Sequence, residues 1–250
     1  KKMSPHDSFI FSRVVRFILN SAEHIVAQSG NTRDNALQYY KPEKDVEIIP
    51  LPFHPPAEVD VTRKKMGLDN DAFYLITVGR LIKRKAIDTM LHAMSDIKDS
   101  SIILLIVGDG PEKEYLQGIV ARHRMGSRVK FLGFLSDKDK FRYLSLADLF
   151  VLTSLHEGFG IVFMEAMHMG LPIVATNHGG QNDFLKDGEN ALLINVGDSE
   201  ACRESILRFR KDKSLYEKCS SNNRKRIRDY QADRVASLYL KIFSELQKKD

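Results

Sequence analysis

The stretch Leu149-Phe150-Val151-Leu152-Thr153-Ser154-Leu155-His156-Glu157-Gly158-Phe159-Gly160-Ile161-Val162-Phe163-Met164-Glu165-Ala166-Met167 reads as a strand, a tight glycine loop and the opening of a helix. Leu149–Leu152 is a continuous apolar run, the pattern of a strand covered on both faces. Met164, Ala166 and Met167 are good helix formers. The intervening glycines let the backbone approach a ligand closely, and free N–H groups at a helix start favour an anion. This places Glu157 on the loop and Glu165 about one turn into the helix. Such a pair suits a ligand with hydroxyls next to phosphates. A solvated loop and helix also carry paired glutamates, so the neighbouring segments must decide between the two readings.

Outward from this stretch, strand and helix patterns alternate. Strands are expected at His24–Gln28, Val46–Ile49, Tyr74–Val78, Ile102–Val107, Val129–Leu132, Leu149–Thr153, Ile173–Thr176 and Ala191–Ile194. Most are unbroken Val/Ile/Leu runs, as in a parallel sheet buried on both sides. Between them Ile87, Met90, Leu91 and Met94 follow helical spacing. Further helices are expected over about Phe9–Leu19, Glu112–Met125, Asp137–Leu146, Ile161–Met169, Asp198–Arg210, Ser214–Asp229 and Ala232–Gln247. Alternating β and α predicts an α/β fold, a Rossmann-like doubly wound parallel sheet.

Pro50, Pro52, Pro55 and Pro56 crowd one short segment and predict an extended connector, since proline fixes φ and removes a donor. Residues 1–56 then form the end of an N-terminal domain plus a linker. Residues 57–229 form a complete α/β unit, and residues 230–250 a C-terminal helix. The chain opens on Lys1-Lys2 without an initiator methionine, so the expectation is a piece whose first domain is truncated.

Of the 250 residues 43% are hydrophobic, enough for a sizeable core, and 28% are charged with a net charge of +5. The basic balance suits an anionic ligand. The clusters Arg122-His123-Arg124 and Arg224-Lys225-Arg226 with Arg228 read as solvated helix ends. Cys202 and Cys219 lie far apart in helical stretches, so no disulfide framework is expected and a reducing cytoplasm fits. No apolar run approaches the roughly 18 residues of a membrane span.

Ligands of an open parallel sheet bind beyond the C-terminal strand ends. After Tyr74–Val78 come Gly79-Arg80-Leu81-Ile82-Lys83-Arg84-Lys85, cations able to clamp a diphosphate through charge-assisted bonds. After Ile102–Val107 comes the turn Gly108-Asp109-Gly110-Pro111. After Val129–Leu132 comes Gly133-Phe134-Leu135, whose backbone suits a planar base. After Ile173–Thr176 comes Asn177-His178-Gly179-Gly180, a second close-approach loop. These strand ends of one sheet outline a site for a phosphorylated, hydroxyl-rich ligand.

Gly79-Arg80-Leu81 with Lys85, Val107-Gly108-Asp109-Gly110-Pro111, Glu157-Gly-Phe-Gly with Glu165-Ala166, Gly170-Leu-Pro-Ile-Val-Ala175 and Gly179-Gly180 follow one another in this order. The set resembles the C-terminal donor-binding domain of retaining GT-B glycosyltransferases, the large group that includes glycogen and sucrose synthases and phosphatidylinositol mannosyltransferases. The resemblance runs over about residues 20–245, Ser21–Ser29 and Ile48-Ile49-Pro50 resembling the family's last segments before its interdomain linker. It implies a hexosyltransferase that takes a nucleotide-diphosphate sugar, with UDP-glucose, UDP-N-acetylglucosamine, UDP-galactose and GDP-mannose all open, and with the C-terminal helix packing back toward the N-terminal domain.

By the same resemblance Arg80 and Lys85 neutralise the donor diphosphate, and Glu165 accepts hydrogen bonds from the ribose hydroxyls. Glu157 contacts the transferred sugar and steadies its anomeric centre, so Glu157, Arg80 and Lys85 are the implied catalytic set. Gly79 and Gly108 border the nucleotide. Gly158 and the amides of Phe159, Gly160 and Ile161 cradle sugar and phosphate, and the backbone at Phe134 and Leu135 meets the base. No protein nucleophile, cofactor or metal is implied. The acceptor, a glycan or lipid-linked saccharide, would bind the missing N-terminal domain, so the isolated chain is expected to bind nucleotide but turn over poorly. The implied location is the cytoplasm, with peripheral contact at the inner face of the membrane open to the full-length enzyme.

The sequence departs from the family pattern at Ala86, where glycine is usual, and at Gln181-Asn182-Asp183, which replaces a small or apolar residue, Pro and Glu. One extra methyl at Ala86 should be tolerated, and Asp183 keeps a shorter carboxylate. The family's N-terminal domain also carries a histidine beside the donor sugar, and His6 is a candidate for it. His6 precedes a helix and not a strand end, which favours a helix-entry role. His156, adjacent to Glu157, and His178 lie nearer the site in sequence, with surface placement as the ordinary alternative.

Three other readings compete. A dehydrogenase-type domain would show G-x-G-x-x-G, and Gly108-Asp109-Gly110 lacks the third glycine. A non-catalytic nucleotide- or polyanion-binding module would interleave cations with aromatics on one face, whereas these cations sit at separate helix ends; no nucleic-acid partner is therefore expected. A phosphorylase would need a lysine context for pyridoxal phosphate, and none is apparent.

Overall fold

The computed structural model describes residues 9–56 and 59–248. His6 lies outside them. The described chain runs α1 (Phe9–Ser21), β1 (Ile25–Ala27), α2 (Gly30–Tyr39), β2 (Val46–Ile48), β3 (Phe73–Val78), α3 (Ile87–Asp96), β4 (Ile102–Val107), α4 (Lys113–Arg122), β5 (Val129–Gly133), α5 (Asp137–Leu146), β6 (Leu149–Leu152), α6 (Ile161–Met169), β7 (Ile173–Thr176), β8 (Leu192–Ile194), α7 (Ser199–Lys211), α8 (Lys213–Arg226) and α9 (Ala232–Leu246), with short 3-10 turns between some of them.

Six strands form one sheet in the order β5-β4-β3-β6-β7-β8, with every pair parallel. The doubly wound expectation is met. Successive side chains on a strand point to opposite faces. On β3, Leu75 joins a cluster with Met90, Leu91 and Met94 of α3 and with Ile206 and Phe209 of α7. Its neighbours Tyr74 and Ile76 join Phe141 and Leu144 of α5 and Phe163, Met164 and Met167 of α6. Both faces are dry, which is why the strands read as unbroken apolar runs rather than alternating ones.

The strand order reverses between β3 and β6, the two central strands. Connections leaving them run in opposite directions, so a crevice opens beyond their C-terminal ends. Gly79 and Glu157 follow these two strands.

Before the sheet, β1 and β2 pair in parallel, Ile25 opposite Val46. Cluster formation continues on the far side of the linker, where Val235 and Ile242 of α9 pack with Ile49 and against Val26. Phe53 pairs with Gln231, its amide donating to the Tyr230 carbonyl at 2.7 Å. The last helix thus lies against the β1–β2 unit. Helix α1 leaves Phe9, Ile10, Phe17 and Ile18 exposed.

Two expectations need correction. The helix expected over Ser214–Asp229 ends at Arg226 and tightens into a 3-10 turn over Ile227–Tyr230; Ile227 and Tyr230 turn inward to join the sheet-side core. Arg226 is not a solvated helix end. Its Nη2 donates to the Asp183 carbonyl at 3.1 Å, so part of that basic cluster is structural. Cys202 and Cys219 are buried and free. Burial pushes the Cys202 thiol up to about 12 and the Cys219 thiol up to about 11, which leaves both unreactive near neutral pH. Among the described residues no helix is long and apolar enough to cross a membrane.

Candidate functional site

Backbone bonds join the strand-end loops to one another. Gly79 N–H donates to Val107 O at 3.0 Å, Gly108 N–H to Gly133 O at 2.7 Å, and Leu81 N–H to Asp109 O at 2.9 Å. The approach is close enough to demand glycine: a Cβ on Gly108 would stand 1.9 Å from the Gly79 carbonyl oxygen, and φ there is +132°. A second such contact lies at Gly180, where a Cβ would stand 2.0 Å from the Gly158 carbonyl oxygen. Leu155 N–H donates to Arg84 O at 2.8 Å and ties the two groups together, so the loops after β3, β4, β6 and β7 are held as one surface.

A cleft of about 540 Å³ opens on the β3–β4–β5 side, lined by Gly79, Arg80, Gly108, Phe134, Leu135 and Lys140 among others. Arg80 is exposed there, and among the described residues no acceptor pairs with its guanidinium. Phe134 is 85% exposed, an aromatic side chain standing free at the rim as well as the backbone expected from sequence.

Glu157 lies across the switch point and is buried. Its Oε1 accepts from Lys85 Nζ and from Ser154 Oγ, both at 2.6 Å, and its Oε2 accepts from Arg84 Nη1 at 3.2 Å. Burial alone would raise its carboxyl, but the bonds to Lys85 and Ser154 and the charges of Lys85 and Arg84 together hold it below the ordinary value. Arg84 also donates to the His156 carbonyl. Lys85, expected to face a ligand, is itself buried and paired. The reason is geometric: its stem lies under Gly79, whose Cβ would meet Lys85 Cε at 3.2 Å.

Gly160 caps α6 in the left-handed region, φ 84°, and starts the helix at Ile161. Among the described residues no protein acceptor meets the amides of Phe159, Gly160 or Ile161. The side chain of Phe159 turns the other way, into the core against Phe184 at 5.3 Å. One segment thus leaves its amides without a protein acceptor while its aromatic ring anchors the loop.

Glu165 is buried one turn into α6. Its Oε1 accepts from Lys140 Nζ at 2.7 Å, while its Oε2 is buried with no hydrogen-bond partner. Burial pushes this carboxyl up, and Lys140 offsets only part of the effect. Sequence reasoning missed Lys140. The signal was there: it sits three residues after Asp137 in the first turn of α5, whose N-cap Ser136 places that turn at the end of β5.

The N-terminal unit reaches the same loops, a second feature the sequence did not disclose. Ser29, fully buried, caps α2 and donates through Oγ to the Gly158 carbonyl at 2.8 Å. Asp183 is committed as well, its Oδ2 accepting from Gly30 N–H at 2.7 Å. Its carboxylate therefore faces a helix start and not open solvent. His156 and His178 meet edge to face at 5.4 Å beside the Glu157 loop. Burial, His178 and Arg84 lower the His156 ring's affinity for a proton, with Glu157 opposing them. Ala86 caps α3 with φ 44° and ψ 44°, the left-handed region, so the glycine usual there has a conformational reason and the alanine is strained. Among the described residues no group of three or more His, Cys, Asp or Glu could hold a metal.

Residues 58–226 match the family model described as glycosyl transferases group 1. The lipopolysaccharide core biosynthesis glycosyltransferase LpsE of Rhizobium meliloti is 29% identical over 74% of this chain and 54% of its own length. The sucrose-phosphate synthase structure from Thermosynechococcus elongatus superposes with a TM-score of 0.85 at 26% identity, over 97% of this chain and 63% of that one. HepE of Anabaena, solved in complex with UDP-glucose, superposes with a TM-score of 0.83 at 24% identity, over 98% of this chain and 70% of that one. The chain spans about half the length of LpsE, and its fold is that of the GT-B glycosyltransferases.

Proposed function

From the premise that this chain belongs to the group 1 glycosyl transferases, we propose that it binds a nucleotide-diphosphate sugar and acts as the donor half of a retaining transferase. The observation that carries the reading is the cleft beyond β3, β4 and β5, where unpaired Arg80, close-packed glycines and the Lys140–Glu165 pair converge. UDP-glucose bound to the similarly folded HepE supports a uridine nucleotide as the first donor to test.

In this reading the base lies by Phe134 and Leu135, and the diphosphate meets Arg80 and the amides of Phe159, Gly160 and Ile161. Preorganised donors of this kind stabilise negative charge as it develops on the leaving nucleotide. The diphosphate's charge falls to these groups and calls for no metal, so transfer should survive chelation by EDTA. Glu165 takes the ribose hydroxyls.

Glu157 serves the sugar by position and charge. Lys85, Ser154 and Arg84 occupy both of its oxygens, which makes it a poor nucleophile and suits an electrostatic role beside a positive anomeric centre. The leaving phosphate then assists the acceptor hydroxyl on the same face, and the product keeps the donor's configuration. The acceptor, a saccharide or lipid-linked glycan, is assigned to protein outside residues 57–229.

Titration calorimetry with UDP, GDP and their sugars tests the donor site. Binding that Arg80→Ala weakens at least tenfold is expected; no binding by any of these ligands overturns the reading. The anomeric coupling of the product in proton NMR tests retention.

A further inference from the structure

We infer that a cavity of about 540 Å³ between the starts of α3 and α4 is a saccharide subsite, separate from the donor cleft and suited to a sugar without negative charge. It goes beyond the donor-site reading and does not depend on it.

Lys83, Asp88, Glu112 and Tyr115 line the cavity together with the buried Ile87 and Leu116. It is as large as the donor cleft, and no residue lines both. Leu81 stands between the two: its N–H donates to Asp109 O at 2.9 Å, and its carbonyl accepts from Glu112 N–H at 3.0 Å. Asp109 lines the donor cleft and Glu112 the second cavity. The partition is close-packed, since Leu81 is fully buried and a Cβ on Gly110 would stand 2.4 Å from its carbonyl oxygen.

Four polar side chains meet there with their bonding capacity unspent. Neighbouring charges are committed elsewhere: Arg84 and Lys85 to Glu157, Lys113 to Asp109. The side chains of Lys83, Asp88, Glu112 and Tyr115, by contrast, find no partner among the described residues. An apolar hollow with a few convergent polar groups is the usual form of a small-molecule site, and this volume falls in the usual range.

The wall chemistry sets the class of ligand. Tyr115 is 53% exposed, leaving ring surface against which the C–H face of a pyranose can stack. Asp88 and Glu112 accept from O–H groups, Lys83 donates to a hydroxyl or ring oxygen, and the Tyr115 hydroxyl does either. A sugar carries hydroxyls that both donate and accept around an apolar face, which matches this set. Two carboxylates against one ammonium leave the wall with an excess of negative charge, in a chain whose net charge is +5. Like charge disfavours a phosphate or a uronate there. The diphosphate of a nucleotide sugar is disfavoured with them, so the cavity is not a second donor site.

Amide NMR shifts of the chain titrated with methyl α-glucoside and with maltotriose, each with and without saturating UDP, test the inference. The amides of Asp88, Glu112 and Tyr115 should shift together at sugar concentrations on the order of 10 mM, and no shift there at about 100 mM overturns the inference. UDP should leave these shifts in place; shifts that UDP abolishes would belong to the donor cleft and overturn it equally. Tyr115→Ala should weaken the sugar roughly fivefold, the worth of an aromatic face, while Tyr115→Phe keeps most of the affinity. If melting curves show that Tyr115→Ala does not fold, Glu112→Gln replaces it and should weaken the sugar as well. Sugar affinity unchanged in every folded variant overturns the inference. Inorganic phosphate and glucose 6-phosphate should leave the three amides unmoved; either one binding more tightly than the neutral sugar would make this an anion site of Lys83 and overturn the assignment. A chain that binds sugar here but no UDP removes the donor reading and leaves this inference standing.

Discussion

Lys85 Nζ lies 2.6 Å from Glu157 Oε1, and both residues are buried. The cation that follows β3 is thereby tied to the carboxylate that follows β6, across the point where the strand order reverses. The pair joins the two halves of the sheet as well as serving a ligand. Breaking a buried pair leaves an uncompensated charge, which costs more than the pair contributes. Lys85→Met should therefore lose about 3 kcal/mol of unfolding free energy, and Lys85→Met with Glu157→Leu should recover part of the loss. A double-mutant cycle in urea measures it; strict additivity would count against the coupling.

Glu157 and Glu165 should move stability with pH in opposite directions. Glu157 titrates below its ordinary value of 4.5, so its contribution is present above that pH and lost as pH falls through the lower folded value. Glu165 titrates above 4.5, so stability falls as pH rises from there through its raised folded value. Melting temperatures between about pH 3 and 7 for Glu157→Gln and Glu165→Gln should show each component missing in turn. Parallel shifts of both variants would contradict the assignment.

Ala86 occupies a left-handed conformation, φ 44°, that costs an L-residue roughly 1–2 kcal/mol. Ala86→Gly removes this strain and adds unfolded-chain entropy worth about 0.4–1 kcal/mol. The net expectation is a gain of about 0.5 kcal/mol, and Ala86→Val should be clearly destabilising. Urea midpoints at constant m-value decide; a glycine variant that loses stability would mean that the methyl's packing outweighs the strain.

Ser29 and Asp183 hold one turn of α2 from two sides, through Gly158 O and Gly30 N–H. Ser29→Ala loses the helix cap and the bond to Gly158 together and should cost about 1–2 kcal/mol. Because both bonds order the same turn, Ser29→Ala and Asp183→Ala should be non-additive. Hydrogen exchange of the Gly180 amide, which donates to the Glu157 carbonyl at 2.7 Å, should rise in either variant; unchanged protection there would show the loop to be independent of the N-terminal unit.

Arg80 is exposed and has no partner among the described residues. Arg80→Ala should stay within about 0.5 kcal/mol of wild-type stability while nucleoside diphosphate binding weakens. A loss of stability larger than the loss of affinity would make Arg80 structural.

The parallel sheet was legible because its strands are covered on both faces, and Ile102–Val107 or Ile173–Thr176 announce this as unbroken apolar runs. Helix α6 was legible from its good formers, and its glycine start from Gly158 and Gly160. Helix α8 was overrun because periodicity alone does not mark where a helix tightens: Ile227 and Tyr230 keep an apolar spacing while the backbone becomes 3-10. The Arg226 contact was invisible because its acceptor, the Asp183 carbonyl, is far away in sequence and belongs to the backbone.

The sequence by itself determined the α/β alternation, the close-approach glycines and the residue types at each strand end. These are local properties, set by side-chain periodicity and backbone freedom within a few residues. Only the tertiary structure decided who partners whom: Lys85 buried with Glu157, Lys140 holding one oxygen of Glu165, Asp183 spent on the start of α2. Such pairings span from 25 to 153 residues of chain. They depend on strand order and on which burial leaves which polar atom unmet, quantities that no local pattern contains.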